Sequence, residues 1–344
     1  MRGFGFTEHG GAERLGWVEV PEPSPGPGMA RIRLRAAAFN RLDRFVLAGI
    51  PGVPIERPHV LGSDGAGVVD SVGSGVEALA PGQSVLINPG IPDGSCPACL
   101  AGSEELCRDY RILGEHTQGT LTESVVVPAR NVYPKPGNLS FGESAAAPLP
   151  FLTAWRALRT VADVRPGETV AIIGAGGAVS PAVLQVARNA RARVVVLSRS
   201  EPKLQKAREW GAEATLTIPP DGRFDRLLWE WSGKRGVDVV FDSAGASTLP
   251  WSIRSLARGG RVVVVGATTG PSAEVDLRPL FWRQASIRGS TMSNRREFEA
   301  MLSELEAGHL RPVVDSQFPF DRSREAFDRY SGEGAFGKVV VNIV

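Results

Sequence analysis

Cys96, Cys99 and Cys107 are the only cysteines in the chain, and all three fall within one short segment. An odd number so clustered reads poorly as a disulfide framework. It reads better as a metal site, or as reactive thiols in a reducing compartment. A second chemical signal is Ile173-Gly174-Ala175-Gly176-Gly177-Ala178-Val179-Ser180-Pro181, set between an apolar strand and a helix. Small residues there let the backbone approach the phosphates of a dinucleotide, and the free N–H groups of a helix N-terminus favour the anion. The spacing G-x-G-x-x-G is present only in degraded form: with Ser180 at the third position, Gly177 is the second and Ala175 the first. A tight structural turn is the alternative. Placement after a buried strand, with a second strand ending about 20 residues on, favours the dinucleotide.

That second strand ends in Leu197-Ser198-Arg199-Ser200, with Lys203 nearby. A site for NAD usually puts Asp or Glu here to bind the ribose 2′-hydroxyl. Ser198 replaces that acid, and Arg199 and Lys203 can meet a 2′-phosphate. The expected cofactor is therefore NADPH, the alternative being an Arg199 that merely faces solvent.

Positioning such groups takes more than one domain. At 344 residues, two domains sharing one cleft is the natural expectation. The 40 glycines and 26 prolines are scattered, as many tight turns between short strands require. The first third reads as a small β-barrel, with strands at Arg31–Arg35, Gly65–Gly73, Gly82–Ile87 and Ser124–Pro128. From about Phe151 the texture changes. A helix is expected over Leu152–Val161, a strand over Thr169–Ile173, a helix from Pro181, a strand over Val194–Leu197, and a helix over Pro202–Trp210 closed by Gly211. Strands at Val237–Phe241 and Arg261–Val265 continue the rhythm, which means a parallel sheet buried on both faces. Helix returns from about Arg288, and Lys338–Val341 is a closing strand.

Net charge is +2 and no basic block stands out, so neither nucleic acid nor a membrane surface is an expected partner. There is no apolar run of about 18 residues and no apolar leader after Met1. The expectation is a cytoplasmic protein acting on a small-molecule substrate.

Longer stretches carry a resemblance. Ala38-Phe39-Asn40-Arg41-Leu42-Asp43, Leu61-Gly62-Ser63-Asp64-Gly65-Ala66-Gly67-Val68-Val69, Pro81-Gly82-Gln83-Ser84-Val85, Phe151-Leu152-Thr153-Ala154-Trp155, the glycine turn and Arg258-Gly259-Gly260-Arg261-Val262-Val263-Val264-Val265-Gly266 together resemble the medium-chain dehydrogenase/reductases. The match spans essentially the whole chain. It implies a GroES-like β-barrel substrate domain over 1–150, completed by 287–344, around a Rossmann doubly wound parallel sheet over 151–286. It also implies a homodimer or homotetramer, and cofactor contacts from Thr153, Gly176, Gly177, Ala178, Val179, Gly266 and Ala267 besides Ser198, Arg199 and Lys203.

Departures from the family pattern matter as much. Where its zinc alcohol dehydrogenases hold a catalytic zinc, this chain has Asn40, Ser63 and Leu149. Zinc wants thiolate, imidazole or carboxylate, and these residues offer none. Asn40 followed by Asp43 is similar to the quinone oxidoreductase and enone reductase branch that lacks this zinc. Asn40 and Ser63 then become candidate hydrogen-bond donors to a substrate oxygen, with a backbone group or a ribose hydroxyl as the alternatives. Asp93-x2-Cys96-x2-Cys99-x7-Cys107 has the spacing of the family's structural zinc lobe, with Asp93 at the first of four ligand positions; a lobe that has lost its metal is the alternative.

The expected activity is NADPH-dependent hydride transfer to a quinone or an α,β-unsaturated carbonyl, with no catalytic metal. An alcohol dehydrogenase or carbonyl reductase is the alternative, and a nucleotide-binding protein with little turnover is another. No side chain stands out as the required acid, so water is a candidate proton source. His59 and His116 read as structural or surface residues, with proton donation the alternative, and Trp229 and Trp231 as packing rather than a stacking platform. Asp43 and Asp64 are expected on loops facing the cleft, the alternative for Asp64 being a hydrogen bond to local backbone only.

Overall fold

Alternation along one long strand organises the first part of the chain. In Met29–Ala38 the side chains of Ala30, Ile32 and Leu34 are wholly buried, while the arginines between them reach toward solvent. The computed structural model describes residues 1–343. In it this strand pairs antiparallel with Asp64–Val72, Ser124–Pro128 and Lys338–Asn342. The sheet continues through Ser84–Ile87 and Val132–Pro134 on one side and Val314–Pro319 on the other. A smaller sheet, Arg2–Phe6 with Gly16–Glu19 and His59–Val60, contributes Phe4 and Phe6 to the same core. Each such side chain contributes about 1.5–3 kcal/mol by leaving water.

The C-terminal strand matters for chemistry. It pairs Val340 with Ala38 and Asn342 with Ala36, so the head of the strand, Lys338, falls beside the chain at Asn40.

The second unit is a six-stranded, all-parallel sheet. Its order is Ala214–Thr217, Arg193–Ser198, Thr169–Ile173, Val237–Asp242, Leu256–Val264 and Ser286–Gly289. That is the 3-2-1-4-5-6 order of a doubly wound dinucleotide fold. Val170, Ala171, Ile172, Val195 and Val240 are fully buried, as strands covered on both faces must be. The order reverses between Thr169–Ile173 and Val237–Asp242, and a ligand belongs outside the carboxyl ends of these two strands.

Compact units divide the chain into Met1–Pro150 with the segment from Ser293 onward, and Phe151–Met292. The expected return to the first unit at 287 is six residues early, because Ser286–Gly289 is still hydrogen-bonded as the last strand of the parallel sheet. Two helices also differ from expectation. The one after the glycine turn is Val179–Asn189, so Pro181 is its third residue. This costs no bond, since the first four N–H groups of a helix have no partner within it. The expected helix over Leu152–Val161 is an α-helix, Pro148–Trp155, running into a π-helical stretch, Arg156–Val161.

Candidate functional site

The glycine turn leaves the end of Thr169–Ile173 and enters Val179–Asn189. Gly174 (φ +94°) and Gly177 (φ +72°) hold backbone conformations that side chains resist. At Gly176 a Cβ would lie 2.9 Å from the Lys203 Nζ, the mobile end of a flexible side chain. Lys203, on the helix Glu201–Glu209, thus brings its ammonium to the turn where a pyrophosphate would lie. Ser198 is buried at the end of Arg193–Ser198, and its Oγ accepts the Ser200 N–H at 3.1 Å. Arg199 is exposed, and neither it nor Lys203 is in an ion pair among the described residues. Gly266 follows the strand Leu256–Val264, where a Cβ would meet the Ser243 carbonyl at 3.0 Å, and Ala267 beside it is exposed. Ala178 and Val179 open the helix, and Thr153 lies in Pro148–Trp155. These residues fit a dinucleotide: an uncrowded turn, a helix N-terminus and two unpaired cations.

A second cluster lies in the first unit. Asn40 precedes the helix Arg41–Ala48, whose third residue is Asp43. Asp43 accepts the Asn40 N–H at 2.6 Å and the Gly62 N–H at 2.8 Å. Asp64 is the first residue of the strand Asp64–Val72. Its Oδ1 accepts the Leu149 N–H at 2.8 Å, and its Oδ2 accepts Asn40 Nδ2 at 2.9 Å and Lys338 Nζ at 2.6 Å. Lys338 Nζ also donates to Phe39 O at 2.9 Å and Asn40 Oδ1 at 2.6 Å, so each of its three protons has an acceptor. Asp43, Asp64 and Lys338 are buried to within 1% of their surface.

This geometry corrects two expectations. Asp43 and Asp64 are not on loops facing a cleft; they sit in a helix and a strand with their carboxylates engaged internally. Asn40 has no free amide proton, since one goes to Asp64 and the other makes a longer bond to Ala38 O at 3.4 Å. Ser63 is different. It is fully buried, and its Oγ has no hydrogen-bond partner among the described residues. An unpaired buried hydroxyl is uncommon enough to require an explanation.

Burial pushes the Asp43 carboxyl up from 3.8 to about 6, against the N–H groups of Asn40 and Gly62 and the Lys338 charge, which favour ionisation. The sign follows. Its neutral form contributes stability below 3.8, and that contribution disappears as pH rises through about 6, a change of about 3 kcal/mol. Denaturant unfolding of wild type and Asp43→Asn at pH 4 and pH 7 is the measurement. Wild type should lose stability relative to the variant on the alkaline side, and a constant difference would show the carboxyl to be ionised throughout.

In the cysteine lobe, one ligand atom from each of Asp93, Cys96, Cys99 and Cys107 lies within 4.8 Å of all the others. Asp93 Oδ1 accepts the N–H groups of Ser95 at 2.6 Å and Cys96 at 2.8 Å, which fixes the carboxylate and holds it well below the usual range. The Cys99 N–H lowers the Cys96 thiol, while burial pushes Cys99 up to about 12. Ligand atoms around a tetrahedral zinc are about 3.8 Å apart, so a contraction of about 1 Å closes the site. The donor set therefore fits zinc, with every coordination position filled by protein.

His59 contacts the Gly114 carbonyl through Nε2 at 3.0 Å, and His116 Nδ1 accepts the Ile112 N–H at 3.1 Å; both are structural contacts. Trp229 and Trp231 lie on the helix Asp225–Trp231, with Trp231 packed on the core of the parallel sheet and Trp229 partly exposed. Lys338 is the site residue that the sequence reading left unassigned. Its signal was a lone charge heading the apolar run Lys338-Val339-Val340-Val341.

Comparison with known proteins agrees with this architecture. Residues 26–137 match the alcohol dehydrogenase GroES-like domain, and residues 178–307 match the family described as zinc-binding dehydrogenase. A zinc-type alcohol dehydrogenase-like protein of Schizosaccharomyces pombe is 33% identical over 316 residues, covering 90% of this chain and 89% of its own. A quinone oxidoreductase of Lama guanicoe is 30% identical, covering 99% and 97%. The crystal structure of an NAD-dependent alcohol dehydrogenase superposes with a TM-score of 0.94 at 43% identity over the whole of both chains. The first unit is thus a GroES-like domain and the second a Rossmann domain. With its dinucleotide turn, doubly wound sheet and full-length relatives of one kind, the chain is an NAD(P)H-dependent oxidoreductase that belongs to the medium-chain dehydrogenase/reductase superfamily, in the quinone oxidoreductase and alcohol dehydrogenase-like branch.

Proposed function

We propose that this protein uses NADPH to reduce quinones or α,β-unsaturated carbonyls, without a catalytic metal. The observation that carries this reading is the cluster around Asp64. The three positions that would ligate a catalytic zinc are Asn40, Ser63 and Leu149, and the neighbouring carboxylate is already neutralised by a buried ammonium. A divalent ion there would lack ligands and face the Lys338 charge. Acceptor activation then falls to a neutral donor, for which Ser63 Oγ is the unpartnered candidate. A neutral hydrogen bond suits an enone or quinone, which spreads arriving charge onto its oxygen. The cofactor supplies the hydride, while the protein binds, orients and polarises. Thr153, Gly176, Gly177, Ala178, Val179, Gly266 and Ala267 would hold the dinucleotide, and Arg199 and Lys203 its 2′-phosphate.

The alternative is alcohol oxidation with NAD, which the likeness to an NAD-dependent alcohol dehydrogenase favours. Turnover of quinones, enones and simple alcohols, each with and without a strong chelator, separates the two. Chelator-insensitive loss of NADPH absorbance with a quinone or enone is the expected result. Efficient, chelator-sensitive oxidation of a simple alcohol would overturn it.

No helix among the described residues is long and apolar enough to cross a membrane. We place the enzyme in the cytoplasm, as a homodimer or homotetramer acting on small molecules. Exposure of Phe281, Trp282 and Ile287 at and beside the last strand of the parallel sheet supports assembly.

A further inference from the structure

The residues on either side of Ser63 are both pinned by buried carboxylates. Gly62 donates its N–H to Asp43, and Asp64 is held by Leu149, Asn40 and Lys338. Backbone bonds add to this: the Asp64 carbonyl accepts Thr120 Oγ1 at 2.7 Å, and the Gly62 carbonyl accepts the Thr120 N–H at 2.9 Å. Between these fixed neighbours the Ser63 hydroxyl is left without a partner. Lys338 reaches this cluster from 274 residues away, and its ammonium donates to Asp64, Phe39 and Asn40. An isolated buried cation would be strongly disfavoured, so its three acceptors are arranged around it.

We propose that Lys338 is a positioning residue for the reaction: an internal cation whose grip on Asp64 and Asn40 holds Ser63 Oγ where an acceptor oxygen is bound. Its ammonium ties the segment carrying Asn40 to Asp64, whose other oxygen accepts the Leu149 N–H. Lys338 itself touches no substrate. Its orientation of the Asn40 amide, with Oδ1 on the ammonium and Nδ2 on Asp64, also explains why Asn40 is not the donor. The inference rests on Ser63 as the acceptor's partner, and its test is chosen to fail separately from that reading.

The full-length protein is compared with Lys338→Met, Lys338→Arg, Asp64→Asn and the double variant Lys338→Met/Asp64→Asn. Three quantities are read: denaturant stability, NADPH affinity, and kcat and KM with a quinone. Lys338→Met should lower kcat about tenfold to a hundredfold with NADPH affinity unchanged, as misplacing a polarising group does. Lys338→Arg should recover part of that loss. The double variant should be no less stable than the worse single one, because the pair acts as a unit. A folded Lys338→Met enzyme with wild-type kcat, or stability losses that simply add in the double variant, would overturn the proposal. If Lys338→Met does not fold, the charge-balanced double variant decides: lowered kcat supports the proposal and wild-type kcat sinks it. If wild type turns over no quinone or enone, the reductase reading falls, while the stability cycle still decides whether Lys338 and Asp64 are coupled.

Discussion

Purified protein will carry one zinc per chain, and Cys107→Ser will abolish it. Cys107 is the buried member of the four, so its loss cannot be made good by a ligand swinging in from solvent. Structural zinc contributes roughly 10–16 kcal/mol of apparent binding free energy in small peptides, and much of that is folding free energy for the segment that wraps it. Besides the four ligands, the lobe from Asp93 to Cys107 is held by local turn hydrogen bonds and by the Arg295 N–H donated to Glu104 at 2.7 Å. Its helices are only Pro97–Leu100 and Glu104–Leu106, and Leu100 and Leu106 are exposed. Elemental analysis gives the stoichiometry, and amide hydrogen exchange over this segment reports its order. The expected result is loss of metal and of protection in the lobe, with the parallel sheet unaffected. Asp93→Cys should keep the metal, since it completes a four-thiolate site. A metal-free wild type with a well-protected lobe would show that the carboxylate and local hydrogen bonds hold it alone.

NADPH will bind more tightly than NADH, and the preference will disappear in Arg199→Ala/Lys203→Ala. Each charge-assisted contact to a 2′-phosphate is worth about 1.5–3 kcal/mol. Two together correspond to roughly a hundredfold to ten-thousandfold in affinity. Among the described residues Arg199 and Lys203 have no carboxylate in an ion pair with them, and Ser198 puts no negative charge beside the ribose. The loss should fall on NADPH for Arg199→Ala alone. Lys203→Ala should also weaken NADH, because the Lys203 ammonium lies against the pyrophosphate turn at Gly176. Titration of both cofactors against the three variants is the measurement. Equal affinities in wild type would mean that Arg199 is a solvated surface charge, and would favour the NAD-dependent reading.

The parallel sheet was legible because its evidence is local. Runs such as Val194–Leu197 and Val237–Phe241 are apolar at every position, which suits only a strand covered on both faces, and the glycine turn announces itself by composition. The cysteine lobe was legible for the same reason, since all four ligand atoms come from 15 consecutive residues. The residue types at 40, 63 and 149 sufficed to question a catalytic zinc, because ligand chemistry is a property of the side chain itself.

What those polar residues do instead was decided by the tertiary structure. Whether Asn40 can donate to a substrate depends on which acceptors surround it, and two of its partners are 24 and 298 residues away. No periodicity carries that information. From the sequence alone Asp43 and Asp64 read as acids on loops. Burial and backbone N–H groups supplied by Gly62 and Leu149 made them interior cross-links instead. Lys338 read as the start of a strand and nothing more, until the register of that strand against Met29–Ala38 set its ammonium between Asn40 and Asp64. A charge can be buried only where its partners already wait, and that condition is met by the fold as a whole.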